Sequence, residues 1–380
     1  MESINLQFMV EKSIGKGEDS EPILSTTESS AITGVFDGMG GSGASLCDSE
    51  YGKGHTKAYV ASRIIREAID KHINCKVPKV DERILKEICV TRLNSEIQKF
   101  PTEKSLLRSK IVREYPTTFT LIVAKEDDRQ TIIDSYWAGD SRNYLWTKDG
   151  FYQISKDDLE NENDPLDNLS NDSALSNCVC ADKDFTIHHK EIIIGKQPYV
   201  IISATDGCFG YLKTPMHFEQ LLDSSLFSSK TLDEWEKKLK DTLQKISGDD
   251  FSLSLVARRF ADFHELSKEF GKKSNKLAGA IDSLQNQIED LQNKLIEAED
   301  ELKEAISANW KKYKPSYLKY LEYASYTDQS NKTNQIGESG KTHEINSRFW
   351  LKWPRIRLPH SKKGCSYYKS NKGQKCKKAK

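Results

Sequence analysis

Four times in the first 258 residues a short apolar run meets an aspartate set among glycines and small residues: VFDGMGG (35–41), YWAGDSR (136–142), IISATDG (201–207) and GDDFSLSLV (248–256). Runs of this length, rich in β-branched and aromatic residues and bounded by Gly, Asp and Ser, read as strands. Strands are predicted at AITGVF (31–36), TTFTLIV (117–123), TIIDSYWA (131–138), YVIISAT (199–205) and FSLSLVA (251–257). Several alternate apolar with small or polar residues, which suits antiparallel sheets with one face covered. Between them, 55–72 carries Val60, Ile64, Ile65 and Ile69 at helical spacing, and 81–100 carries Ile84, Ile88, Leu93 and Ile97. Two amphipathic helices are predicted there, and the whole is one mixed α/β unit.

One Asp-Gly alone is an ordinary hairpin turn. The ordered set says more, because it places carboxylates where strands stop. In VFDGMGG three glycines within five residues let the backbone turn tightly and bring a carbonyl toward a ligand. With no His-rich motif alongside, such oxygen donors suit Mg²⁺ or Mn²⁺ rather than zinc.

The eight cysteines are too sparse for a disulfide framework, so reduced thiols are expected. None has an arginine six residues later, as a phosphate-cradling thiolate loop requires, and Cys178-Val179-Cys180 is not zinc-ribbon spacing. Hydrophobic residues make up 37% and charged residues 30%, with no apolar run near the roughly 20 residues of a membrane helix. No secretory signal opens the chain, and a cytoplasmic address is the expectation.

The formal charge of zero conceals a split. Residues 348–380 hold nine Lys, three Arg and no acid, so the rest of the chain carries −12. Trp350, Trp353, Tyr367 and Tyr368 lie among those cations, a mixture that suits nucleic acid or an anionic membrane surface as well as a solvated tail. Before it, 311–347 reads as a polar linker, and before that apolar positions fall at Leu277, Ile281, Leu284, Ile288, Leu291, Leu295, Ala298, Leu302 and Ala305. Steps of four and three make a heptad seam, and Ile at a with Leu at d favours a parallel pair. A coiled-coil helix is therefore expected within 259–310, forming a homodimer or docking a kinase or other regulator. A helix packed on its own domain is the alternative.

Taken together, GED (17–19), DGMGG (37–41), PTTFTLIV (116–123), AGDSRNYL (138–145), ATDG (204–207) and DDFSLSLV (249–256) resemble, in order and spacing, the metal-dependent serine/threonine protein phosphatases of type 2C in their bacterial form. The resemblance covers about residues 5–258. It implies an α+β fold, a four-layer α-β-β-α sandwich of two antiparallel sheets flanked by helices, over 1–258. It also implies two Mg²⁺ or Mn²⁺ ions per site, with a weaker third, acting on a phosphoprotein substrate. Asp37 would bridge the two metals, with the Gly38 carbonyl on the second. Asp206 and Asp249 would complete the first, Glu18 would serve the second with Asp19 beside it, and Asp140 with Asp206 would hold the third. Paired ions of this kind, ~3.5–4 Å apart, share a water and present it as hydroxide to the phosphorus.

The sequence departs from the family pattern in three places. The arginine that clamps substrate phosphate in many members is absent before Glu18, leaving Lys12 and Lys16 as phosphate-binding candidates that lack a bidentate fork. Gly210 stands where members often have Asp, and Asp250 replaces the usual Asn beside the last metal ligand. Met39 takes the place of a His that eukaryotic relatives carry, as in bacterial forms. Two readings follow. One is an active protein serine/threonine phosphatase. The other is a catalytically weak or inactive scaffold of the same fold, acting through its coiled coil and basic tail.

Overall fold

The computed structural model describes residues 3–74, 80–101, 112–160, 164–170, 174–271 and 276–330. The basic tail and residues 331–347 of the expected linker lie outside the described residues. The chain divides into two compact units, residues 1–278 and 279–380. The first therefore extends beyond Arg258, where the motifs stop.

Two five-stranded sheets form the first unit. One runs β1 (Ile4–Val10), β12 (Phe251–Arg258), β11 (Tyr199–Ala204), β8 (Arg142–Thr147), β9 (Gly150–Gln153). The other runs β10 (His188–Ile194), β7 (Thr131–Ala138), β6 (Phe119–Glu126), β3 (Ser30–Val35), β2 (Ile23–Thr26). Every neighbouring pair is antiparallel. A separate ribbon joins β4 (Leu46–Ser49) to β5 (Gly52–Thr56). The helices are a single turn α1 (Gly40–Gly43), α2 (Lys57–Ile73), α3 (Glu82–Lys99), α4 (Pro165–Ser170), α5 (Met216–Phe227), α6 (Leu232–Ile246), α7 (Phe263–Phe270) and α8 (Lys276–Ser330).

The layering follows from the period of two along each strand. In β6, Leu121 and Val123 face a core shared with Val60, Ile64 and Leu85 of α2 and α3, while Ile122 and Ala124 face a second core with Leu145, Ile201 and Val256 of the other sheet. In β11, Val200 and Ile202 face a third core with Phe218, Trp235 and Leu266 of α5, α6 and α7. Helices thus cover the outer face of each sheet, and the four-layer sandwich is as the resemblance implies.

One expectation needs correction: neither sheet leaves a face to water. The small polar residues that alternate with apolar ones point at the opposite sheet. Thr33 and Ser203 share a hydrogen bond of 2.9 Å, and Ser254 donates to the Ile23 carbonyl at 2.8 Å. All eight residues of β12 are buried.

Helix starts obey capping chemistry. Thr56 accepts from the Tyr59 amide and Asp81 from the Ile84 amide, so α2 begins at Lys57 and not at the expected His55, which belongs to β5. In the second unit α8 continues through Pro315 to Ser330, into the stretch read as linker, with Leu284, Leu291 and Leu302 each at least 60% exposed. Among the described residues no helix is long and apolar enough to cross a membrane.

Candidate active site

Antiparallel pairing brings the chosen aspartates to one end of the sandwich. Asp37 follows β3, Asp140 lies in the turn from β7 to β8, Asp206 follows β11, and Asp249 and Asp250 precede β12. The register sets Val35 opposite Thr120 and Phe119 opposite Ala138, and Ala204 opposite both Arg142 and Leu253.

The loop after β3 is held from two sides. The Asp37 carbonyl accepts from the Thr118 amide at 2.8 Å and the Thr117 hydroxyl at 2.7 Å. A Cβ at Gly40 would lie 1.7 Å from Glu18 Oε2, so a larger residue there would push the Glu18 carboxylate from its place against the loop. Glu18 Oε1 in turn accepts from the Thr56 hydroxyl at 2.5 Å, which ties the start of α2 to the site.

Asp250 spends both carboxylate oxygens on main-chain amides, Oδ1 on Lys12 and Oδ2 on Glu18, each at 2.7 Å. It fixes the loop that carries Glu18. Asp19 is buried and accepts from Ser252 Oγ at 2.7 Å and Thr205 Oγ1 at 3.0 Å. Gly207 passes so close to Asp250 that a Cβ there would meet its carbonyl oxygen at 1.9 Å.

The electrostatics follow from crowding like charges. Burial, then Asp19, Asp206, Asp140 and Asp249, push Asp37 well above the usual carboxylate range. Burial raises Asp19 to about 7, with Asp206 and Asp250 adding to it. Asp206 is raised to about 6 by burial and then by Asp249, and Asp140 is raised by burial, Asp206 and Asp157. Glu18 is also raised, chiefly by burial, although its Thr56 bond opposes this.

Nearby cations are committed elsewhere. Arg142 forms a fork on Asp157, with contacts of 2.6–3.2 Å, and lies over Phe209. Arg63 donates to the Gly17 and Glu18 carbonyls and stacks on Tyr59. Of the two phosphate-binding candidates, Lys12 gives its ammonium to the Ser247 carbonyl at 2.5 Å, while Lys16 is exposed.

Glu18, Asp19, Asp37, Asp140, Asp206 and Asp249 therefore share one electrostatic neighbourhood. Among the described residues no group of three or more Asp, Glu, His or Cys side chains is placed to hold a metal ion as it stands. The donors still fit hard divalent cations: they are all oxygens, mutually repelling and unpaired with a nearby base. The sequence reading missed Thr56, Arg63 and the Arg142–Asp157 pair. Of these only Thr56 left a signal, as a capping residue before an apolar-periodic run.

The family description "Protein phosphatase 2C" matches residues 19–244. A serine/threonine phosphatase from Staphylococcus aureus is 15% identical with a TM-score of 0.49, over 68% of this chain and 96% of that one. The serine/threonine phosphatase PstP/Ppp of Mycobacterium tuberculosis is 14% identical with a TM-score of 0.45, over 67% and 97%. A sex-determining protein of C. elegans is 14% identical with a TM-score of 0.50, over 71% and 67%. At such identities the likeness speaks only to the fold. No curated protein matches the chain.

Proposed function

The chain belongs to the protein phosphatase 2C family, and from that premise we propose that it hydrolyses phosphoserine and phosphothreonine on proteins with Mg²⁺ or Mn²⁺, two ions per site and a third at Asp140 and Asp206. The observation that carries the reading is the gathering of Asp37, Asp140, Asp206 and Asp249 at one end of the sandwich, where burial and neighbouring carboxylates raise the pKa of Asp37, Asp140 and Asp206 and, among the described residues, no base pairs with them. Asp37, with the Gly38 carbonyl, Glu18, Asp206 and Asp249 would hold the main pair. When bound, such ions supply Lewis acidity toward water and toward the phosphoryl oxygens.

The chain's own residues do the positioning. Thr117 and Thr118 fix the Asp37 backbone, Asp250 fixes Glu18, and Ser252 with Thr205 orients Asp19. The engagement of Lys12 by Ser247 argues against it as a phosphate clamp. Substrate phosphate would then be held mainly by the ions, so weak substrate binding is expected rather than lost chemistry. Phosphate release from a phosphothreonine peptide tests this with Mn²⁺, with Mg²⁺ and with chelator. Release that ignores the chelator would overturn it, and a folded protein with no release under any metal would favour the scaffold reading.

The exposed seam of α8 supports a further part of the proposal, a parallel homodimer. In that register Lys294 meets Glu299 of the second copy and Gln287 meets Gln292, so the flanks carry no like-charge pair. Sedimentation of the full chain should give a dimer, and Leu284→Asp with Leu291→Asp a monomer. A monomeric parent at micromolar concentration would refute the pairing.

A further inference from the structure

Cys178 and Cys180 are used by nothing in the reading above, yet they stand one step from the site. They flank Val179 in extended chain, so their side chains share a face, and the Cys180 thiol donates to the Lys183 carbonyl at 3.6 Å. Cys180, itself 3% exposed, also borders a surface cavity of about 310 Å³ with Leu93, Asp182, Lys183 and Phe185.

The connection to the site is main-chain apart from the Thr117 hydroxyl. Val179 and Thr117 exchange both of their N–H···O=C bonds, at 2.9 and 3.0 Å, and the Ala181 amide donates to Glu114. On its other side the same segment holds the acidic loop. Thr117 Oγ1 and the Thr118 amide donate to the Asp37 carbonyl, the Met39 amide donates to Pro116, and the Arg113 amide to Ser42. Residues 113–118 are thus a single layer of chain between the two thiols and the loop of Asp37.

We propose that Cys178 and Cys180 form a peroxide-sensitive dithiol that closes to a disulfide across Val179 and, through Thr117, loosens the loop carrying Asp37. The effect on activity rests on the phosphatase reading, whereas the chemistry of the pair does not. The Cys180 thiolate attacks one peroxide oxygen, the O–O bond breaks, and hydroxide leaves and is protonated to water, giving a sulfenic acid. Cys178, giving up its proton, then attacks the Cys180 sulfur. The S–S bond forms, the S–O bond breaks, and the second hydroxide takes that proton and leaves as water. Two thiols and one peroxide become one disulfide and two waters.

The neighbouring Cys178 holds the Cys180 thiol below its ordinary range and is itself raised, which divides attacking and resolving roles in that order. Residues i and i+2 of an extended chain stand ~6.6 Å apart between Cα atoms. A disulfide prefers about 5.5–6 Å. Closure therefore draws the chain in at Val179, the residue bonded to Thr117.

The test treats the full chain with hydrogen peroxide, then measures peptide mass, amide exchange and Mn²⁺-dependent phosphate release. The peptide spanning 178–180 should lose two hydrogens, and the loss should be absent in Cys178→Ala and Cys180→Ala. Exchange at Thr117 and Thr118 should quicken in the oxidised protein. Activity should fall by up to about a hundredfold, since ångström-scale misplacement of a positioned group can be that costly, return with dithiothreitol, and resist peroxide in the double Ala variant. A peptide that keeps its hydrogens, or a disulfide with unchanged exchange at 117–118, overturns the proposal. A reduced protein without activity speaks against the phosphatase reading alone, because mass and exchange still decide the dithiol.

Discussion

The two ends of the sandwich handle buried charge in opposite ways. At the end where β3 and β11 stop, carboxylates crowd together and, among the described residues, no base pairs with Asp37, Asp206 or Asp249. At the other end, Glu126 at the close of β6 is met by Tyr199 Oη at 2.7 Å, Arg258 Nε at 3.0 Å and Arg259 Nε at 3.5 Å. Arg258 also donates to the Thr27 and Glu28 carbonyls. That knot joins β6 and β2 of one sheet to β11 and β12 of the other. Its charges are satisfied within the chain, so it serves structure, whereas unsatisfied charge at the first end is an invitation to a cation. The same strands supply both ends, so the difference lies in the flanking residues and not in the framework.

The largest expected effect breaks the comparison at its acidic end. Asp37→Asn should lower Mn²⁺-dependent phosphate release by roughly a thousandfold, because the contribution of metals is several kcal/mol and each ~1.4 kcal/mol is a factor of ten. With chelator at neutral pH the same variant should melt no lower than the parent, since it removes one charge from a self-repelling group. A variant that keeps activity, or that unfolds in chelator, would show that Asp37 is a structural carboxylate.

Metal itself is the next lever. At a hundred times its dissociation constant, Mn²⁺ should stabilise the folded protein by about 2.7 kcal/mol, as linkage requires of a ligand bound only to the native state. The gain should vanish in Asp37→Asn and persist in Glu126→Gln. Calorimetric melting of the three proteins with and without Mn²⁺ decides it. An equal gain in Asp37→Asn would place the bound ion elsewhere.

How far the sequence could reach differs between the ends. Asp37, Asp140, Asp206 and Asp249 were legible because each adjoins an apolar run of strand-forming residues, and the five runs were found within a few residues of β3, β6, β7, β11 and β12. β5, GKGHT, has no apolar residue, so pattern alone passed over it. Helix α6 carried a legible stripe at Trp235, Leu239 and Leu243 that the reading did not use. The partners of Asp250 were beyond reach, since the two amides it holds lie 238 and 232 residues away. Glu126 left no trace either: one acid at a strand end looks like any solvated carboxylate until Arg258 and Tyr199 are folded against it.

At the paired end, Glu126→Gln should cost about 2 kcal/mol of stability, within the range for hydrogen bonds to charged groups, with little change in phosphate release. Urea unfolding alongside the activity assay separates the two. A large loss of activity at unchanged stability would mean that the ends are coupled and the comparison fails.

The smallest effect is the pH dependence of that cost. Burial alone would raise Glu126, but the bonds from Arg258 and Tyr199 outweigh it and hold the carboxyl below its usual 4.5. A carboxylate whose folded pKa is depressed contributes stability that is fully present above its unfolded value and is lost as pH falls through the folded one. The difference in unfolding free energy between the parent and Glu126→Gln should therefore be constant above about pH 5.5 and shrink below about 4.5, in step with protonation of the carboxyl. Taking the difference isolates this end, because the acidic cluster titrates alike in both proteins. A gap that stays constant down to the acid transition would mean that the knot holds by shape and neutral hydrogen bonds, and that charge pairing at this end contributes nothing.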